Sequence, residues 1–332
     1  MSRRRSRSRN QTPAAILAVT AILASLLAFQ CYLAPSGGSG GTDDCAGEEC
    51  KVEVAGVAVT AAPTPAANVT FQGNTQPPPV SALSAVVVDD QCGDLLFDKD
   101  SHHRLPPASI TKIATALVAV ETTDPDEIIN VNIDNFFAGD GTVMGLETGM
   151  RLPMRDLLYG LLLPSGNDAA VAIARRVAGD VPAFVNRMNA KVRDLGLQDT
   201  HFTNPHGLDA AGHYSSAYDM TMLGRYAYKE PIIAEIVRTQ QYQPNWDGPE
   251  LWSGDLLLWL YPGADGMKTG WTEKAGQTMV ATAQRDGHRL FVGVMGSLDR
   301  YTDVIWLLDW GFENLAGSPT RSCGDASASA GQ

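Results

Sequence analysis

The sequence predicts an α+β domain, an α/β sandwich in which one antiparallel sheet is flanked by a helical cluster. Two observations carry this. Strand-like runs occur at both ends of the domain, Ala85–Asp89 and Leu95–Asp98 early, Thr278–Ala283 and Leu290–Met295 late. Between them lie helical stretches around residues 110–121, 154–163, 168–178, 182–195 and 217–228. Strands from both ends with helices in the middle are most simply joined by closing one sheet with terminal elements. A span of 235 residues, 81–315, is within range for one such domain.

The segments outside that domain have their own chemistry. Residues 1–13 are basic, with Arg3, Arg4, Arg5, Arg7 and Arg9, and an apolar run follows at 14–34. Its 21 residues are long enough to cross a bilayer. Clustered arginines keep that end cytoplasmic, which places the domain outside the cell membrane. A retained anchor is the preferred reading. A cleaved signal peptide ending near Ala34-Pro35-Ser36 is the competing one, and would make the protein secreted. Residues 35–80 are rich in Gly, Ser and Pro and read as a disordered tether, a coil of roughly 35–40 Å end to end. Residues 316–332 form a polar tail.

Charge excludes one class of partner. The chain has 25 basic and 37 acidic side chains, and without the five N-terminal arginines the balance is −17. Such a domain repels nucleic acid. The cysteines suit an exported protein: Cys45 with Cys50, and Cys92 with Cys323, can each pair oxidatively. No His/Cys spacing implies a metal. His102, His103, His201, His206 and His213 read as turn or packing residues, and no cofactor is expected.

Three short motifs carry the chemistry. In Ser109-Ile110-Thr111-Lys112, after Pro106-Pro107, positions i and i+3 put an amine beside a hydroxyl on one helix face. A base at that distance makes a serine nucleophilic. Ser165-Gly166-Asn167 is a polar turn between two apolar helical runs, Leu157–Leu163 and Asp168–Ala178, where Ser165 or Asn167 can also simply cap the second helix. Lys268-Thr269-Gly270 precedes a strand-like run, where the lysine can blunt a sheet edge and Gly270 admits a ligand backbone. Each motif is weak alone. Their order, with Ser165 56 residues after Ser109 and Lys268 103 residues after Ser165, is hard to produce by chance.

The three motifs form the set shared by penicillin-binding proteins and class A β-lactamases. In context, Leu105–Lys112, Leu163–Ala170, Phe202–Leu208, Asp265–Thr272 and Leu307–Phe312 closely resemble the D-alanyl-D-alanine carboxypeptidases, the low-molecular-weight penicillin-binding proteins. The resemblance spans roughly Val80 to Leu315 and departs in two places. Ser253-Gly254-Asp255 stands where an Asn-x-Asn pair is frequent, which puts peripheral substrate contacts in doubt, and Ser216 replaces a frequent Thr.

The resemblance implies the serine β-lactamase/DD-transpeptidase-like fold and an acyl-enzyme on Ser109. Lys112 is then the base, Ser165 a proton relay to the leaving nitrogen, and Asn167 a contact to a substrate amide. Lys268 lowers the pKa of Lys112 by its charge. The backbone N–H groups of Ser109 and Trp271 form the oxyanion hole, and the strand with Thr269 and Gly270 pairs with the extended substrate. Thr269 and Arg300 read the terminal carboxylate, although Arg300 is equally readable as an exposed loop residue. The implied partners are a peptidoglycan stem peptide ending in D-Ala-D-Ala and β-lactam antibiotics as covalent inhibitors. A D,D-endopeptidase and a β-lactamase share the motifs, but no Glu-x-x-Leu-Asn for fast deacylation appears between Asn167 and Lys268. A non-catalytic wall-binding module would not require all five polar residues.

Overall fold

A computed structural model describes residues 69–71, 75–133, 141–246 and 248–316. The basic segment, the apolar run at 14–34, Cys45, Cys50, Cys323 and most of the tether and tail lie outside these residues. Among the described residues no helix is long and apolar enough to cross a membrane. Cys92 is disulfide-bonded, and the described residues hold no second cysteine.

Ten strands and eight helices are described. The main sheet comprises β1 (Val69–Phe71), β2 (Ser84–Asp89), β3 (Leu95–Lys99), β8 (Ala264–Thr272), β9 (Gly276–Arg285) and β10 (His288–Ser297). Its order is β1-β3-β2-β10-β9-β8, antiparallel throughout. The join between early and late strands is β2 against β10, with Val87 opposite Val292. Two short ribbons complete the β-structure, β4 (Ile128–Asn130) with β5 (Arg151–Pro153) and β6 (Gln241–Tyr242) with β7 (Leu251–Trp252).

The helices are α1 (Lys112–Val120), α2 (Met154–Leu162), α3 (Asn167–Ala178), α4 (Val181–Asp194), α5 (Ala217–Ala227), α6 (Pro231–Val237), α7 (Leu257–Leu260) and α8 (Arg300–Leu315). The strands read as continuous apolar runs because both faces of the sheet are covered. In β2, Val86 and Val88 enter the core shared with α1 to α6. Ala85 and Val87 point the other way, into a second core with Val304, Leu307, Leu308 and Phe312 of α8. Alternation along a strand places successive side chains in opposite layers. The result is helix, sheet, helical cluster.

Beyond the two short ribbons and helices α6 and α7, which the sequence does not predict, two regions differ from the sequence reading. Val69–Phe71, placed in the disordered tether, pairs with β3 as an edge strand. The residues after it also hold to the domain: Trp310 Nε1–H donates to the Thr75 carbonyl (2.9 Å), and Val80 is buried. Composition alone hid this, because an edge strand takes its partners from residues remote in sequence. The second difference is α8, left unplaced although buried Val304, Leu307, Leu308, Gly311 and Phe312 carry a helical period. Asp299 caps its start, its carboxylate accepting from the Thr302 N–H (3.3 Å) and hydroxyl (2.7 Å).

Candidate active site

Three elements converge where the sheet meets the helical cluster. A 3-10 turn at Ala108–Thr111 runs directly into α1, so Ser109 and Lys112 stand three residues apart on a helical path. Lys112 Nζ lies 3.0 Å from Ser109 Oγ, 2.7 Å from Asn167 Oδ1 and 2.6 Å from the His206 carbonyl. The lysine is fully buried. Burial first, and then the charge of Lys268, hold its pKa well below the usual lysine value, against a smaller opposing pull from Asp168. A neutral amine has two N–H donors and one lone pair. Two acceptor oxygens take the donors, and the Ser109 hydroxyl remains to meet the lone pair.

The turn carrying Ser165 and Asn167 is fixed from several sides. The Asn167 N–H donates to the Thr142 carbonyl (2.8 Å), and the Thr142 hydroxyl donates to the Ser165 carbonyl (2.7 Å). The capping alternative is not observed, since Gly166 is the N-cap of α3 and no side chain caps it. Ser165 has a φ of 66°, in the left-handed region, as does Ala108 with 52° just before Ser109. Non-glycine residues rarely adopt this conformation, and it clusters at functional sites. The Ser165 hydroxyl oxygen is buried without a hydrogen-bond partner among the described residues. Asn167 spends its Oδ1 on Lys112 rather than standing open for an amide.

Strand β8 forms the opposite wall. Lys268, 2 % exposed, donates to the Thr269 carbonyl at 2.9 Å. Burial, with a smaller push from Arg300 and an opposing pull from Asp255, lowers its pKa to about 7. Gly270 serves a purpose other than ligand access. A Cβ there would stand 2.8 Å from the Ser109 nitrogen and 2.5 Å from Thr278 Oγ1, so the missing side chain lets β8 press on the nucleophile turn. Thr278 in turn donates to the Pro107 carbonyl (2.9 Å). Trp271 is 63 % exposed at the mouth. Arg300 is not a solvent loop residue: it opens α8, and Nη1 donates to the Gly270 carbonyl at 2.7 Å.

These residues line one cleft of about 720 Å³, which brings together Ser109, Ser165, Asn167, Lys268, Thr269, Gly270, Trp271 and Arg300. Lys112 lies beneath it. Sequence reasoning assigned no role to three contributors. The His206 carbonyl is a backbone group, although the family-like segment Phe202–Leu208 contains it. Asp168 accepts from the N–H groups of Met144, Gly145, Leu146 and Ala169, each at 2.9 Å, and pins a wall of the cleft. Asp255 is buried beside the cations of β8 and α8. The side chains of His206 and His213 keep their packing roles.

Comparison with known proteins agrees with this geometry. Residues 71–298 match the family model described as D-alanyl-D-alanine carboxypeptidase. The chain is 36 % identical over 248 residues to the D-alanyl-D-alanine carboxypeptidase DacF of Bacillus subtilis, covering 72 % of this chain and 64 % of that protein's length. Among solved structures, a D-alanyl-D-alanine carboxypeptidase from Mycobacterium tuberculosis superposes with a TM-score of 0.71 at 34 % identity, over 74 % of this chain and 96 % of that one. A Streptomyces DD-transpeptidase gives 0.68 at 29 % identity, over 72 % and 100 %. The fold is therefore that of the DD-peptidases, and the chain belongs to the D-alanyl-D-alanine carboxypeptidase family.

Proposed function

We propose that this chain is a serine-type D-Ala-D-Ala carboxypeptidase that removes the terminal D-alanine from peptidoglycan stem pentapeptides. The observation that carries the reading is the buried Lys112 amine 3.0 Å from Ser109 Oγ, with both its other neighbours acceptors. Lys112 takes the hydroxyl proton as Oγ attacks the carbonyl carbon of the penultimate D-Ala. The backbone N–H groups of Ser109 and Trp271 receive the developing oxyanion, each such donor contributing roughly 3–4 kcal/mol. The C–N bond breaks, the proton returns to the leaving amine through the unpartnered Ser165 hydroxyl, and water then cleaves the ester. Thr269 and Arg300 hold the terminal carboxylate, a geometry a guanidinium fork suits.

The same acyl-enzyme accepts an amine in place of water, which is the transpeptidase outcome, and a cross-linked donor gives the endopeptidase outcome. β-Lactams fit as covalent inhibitors because their ring carbonyl acylates the same hydroxyl. Export by the segment at 14–34 would bring the domain to the wall, and its acidic balance is consistent with a substrate other than nucleic acid. Mass spectrometry of products from pentapeptide and cross-linked muropeptides tests the reading. Loss of one D-alanine from the pentapeptide is expected; an unchanged pentapeptide contradicts it.

A further inference from the structure

Asp255 is a buried carboxylate that the proposed steps do not use. It is 4 % exposed, in the segment between β7 and α7. That segment is wedged against three walls of the cleft, the first being β8, where a Cβ at Gly254 would lie 3.9 Å from Thr269 Oγ1. The Gly254 N–H donates to the Leu163 carbonyl (3.0 Å), beside the turn that carries Ser165. The Tyr301 hydroxyl donates to the Gly254 carbonyl (3.1 Å) and accepts from the Leu256 N–H (3.2 Å), so α8 grips the residues on either side of Asp255. The Asp255 N–H donates to Ser253 Oγ at 3.2 Å.

One carboxylate oxygen has an ordinary task. Oδ1 accepts from the N–H of Leu257, the first residue of α7, at 2.9 Å. Oδ2 is buried with no hydrogen-bond partner among the described residues. That bond needs one acceptor, which a neutral side chain supplies. A second, unpartnered oxygen of a buried carboxylate is costly unless its charge is balanced. The charged groups around it are cations: Lys268 on β8 and Arg300 on α8 both act electrostatically on Asp255. Beyond them, Lys112 on α1 feels Lys268 and Asp168. A guanidinium keeps its charge across the working range of pH. Remove the carboxylate, and two like charges in one dry wall are relieved only by Lys268 losing its proton.

We propose that Asp255 is a positioning residue, the internal counter-charge that keeps Lys268 cationic and so sets the alkaline limit of the reaction. It rests on the acylation reading, in which the Lys268 charge keeps Lys112 neutral. The direction of the Asp255 effect on Lys268, upward, agrees with this.

The test is the pH dependence of the second-order rate of labelling of the full chain by a fluorescent penicillin. Asp255→Asn and Asp255→Ser both keep an acceptor for Leu257, so either can fold, and thermal melting verifies each. In both, the alkaline limb should move about one pH unit lower, a tenfold loss at a pH on that limb, the size of one nearby buried charge. Asp255→Glu should keep the wild-type limb. Neutral variants that superimpose on the wild type, or a Glu variant that shifts as far as they do, would overturn the inference while labelling persists. A wild type that never labels overturns the acylation reading, and this inference with it.

Discussion

Lys112 shows how much one side chain can say. Its spacing from Ser109 was legible in the sequence because i and i+3 share a helix face wherever the helix goes. Its other two partners were not, since Asn167 lies 55 residues away and the His206 oxygen belongs to the backbone. Only the fold brings those two acceptors together, and they orient the lone pair. Asp255 was quoted as an odd residue in its motif, but its burial beside Lys268 is a tertiary fact. Lys112→Ala should slow penicillin acylation by about 10²–10⁴-fold, the usual contribution of a positioned base. The melting temperature should also fall, because Asn167 Oδ1 and the His206 carbonyl lose their buried donor, so the rates are compared on folded protein. Stopped-flow labelling with a parallel melt checks this; a variant acylated at the wild-type rate would remove Lys112 from the chemistry.

At the scale of elements, the helices between the strands were readable from their own apolar periods, and α1 to α5 fall within two residues of expectation. Elements defined by contact were not: β1 exists through β3, and within each small ribbon the two strands exist through one another. The nucleophile turn is likewise set by its neighbours. Gly207 has a φ of 92°, and a Cβ there would fall 2.0 Å from the Ala108 carbonyl oxygen. Backbone cannot yield as a flexible side chain can, so Gly207→Ala must displace either the 3-10 turn or its own loop. We expect a loss of about 2–4 kcal/mol and a labelling rate at least tenfold lower. Chemical denaturation beside labelling measures both; a variant unchanged in both would show that the turn tolerates the displacement.

For the whole molecule, the sheet joined by β2 and β10 makes the two ends of the domain one unit, and the site lies at its meeting with the helices. The layered architecture was legible because strands and helices are segregated along the chain; the covering of the second face by α8 was not, since that helix was unplaced. Buried histidines tie the stability of this unit to pH. His213 accepts from the Thr203 N–H at Nδ1 (3.0 Å), which leaves Nε2–H to donate to Thr111 Oγ1 (2.9 Å). Burial, then the charge of His201, lowers its pKa to about 4. The unfolded chain therefore takes up this proton near pH 6.5, before the native protein does, and stability falls as pH drops from about 6.5 to 4. His213 contributes at most about 3 kcal/mol over that window. His213→Gln should melt with a shallower pH dependence there than the wild type; parallel curves would contradict the assignment.

The central claim is that Ser109 forms the acyl-enzyme. Its most direct measurement is intact-protein and peptide mass spectrometry of wild type and Ser109→Ala after exposure to a penicillin. One adduct on Ser109 in the wild type and none in the variant is the predicted result. An adduct of equal yield in Ser109→Ala, or one mapped to another residue, would contradict it.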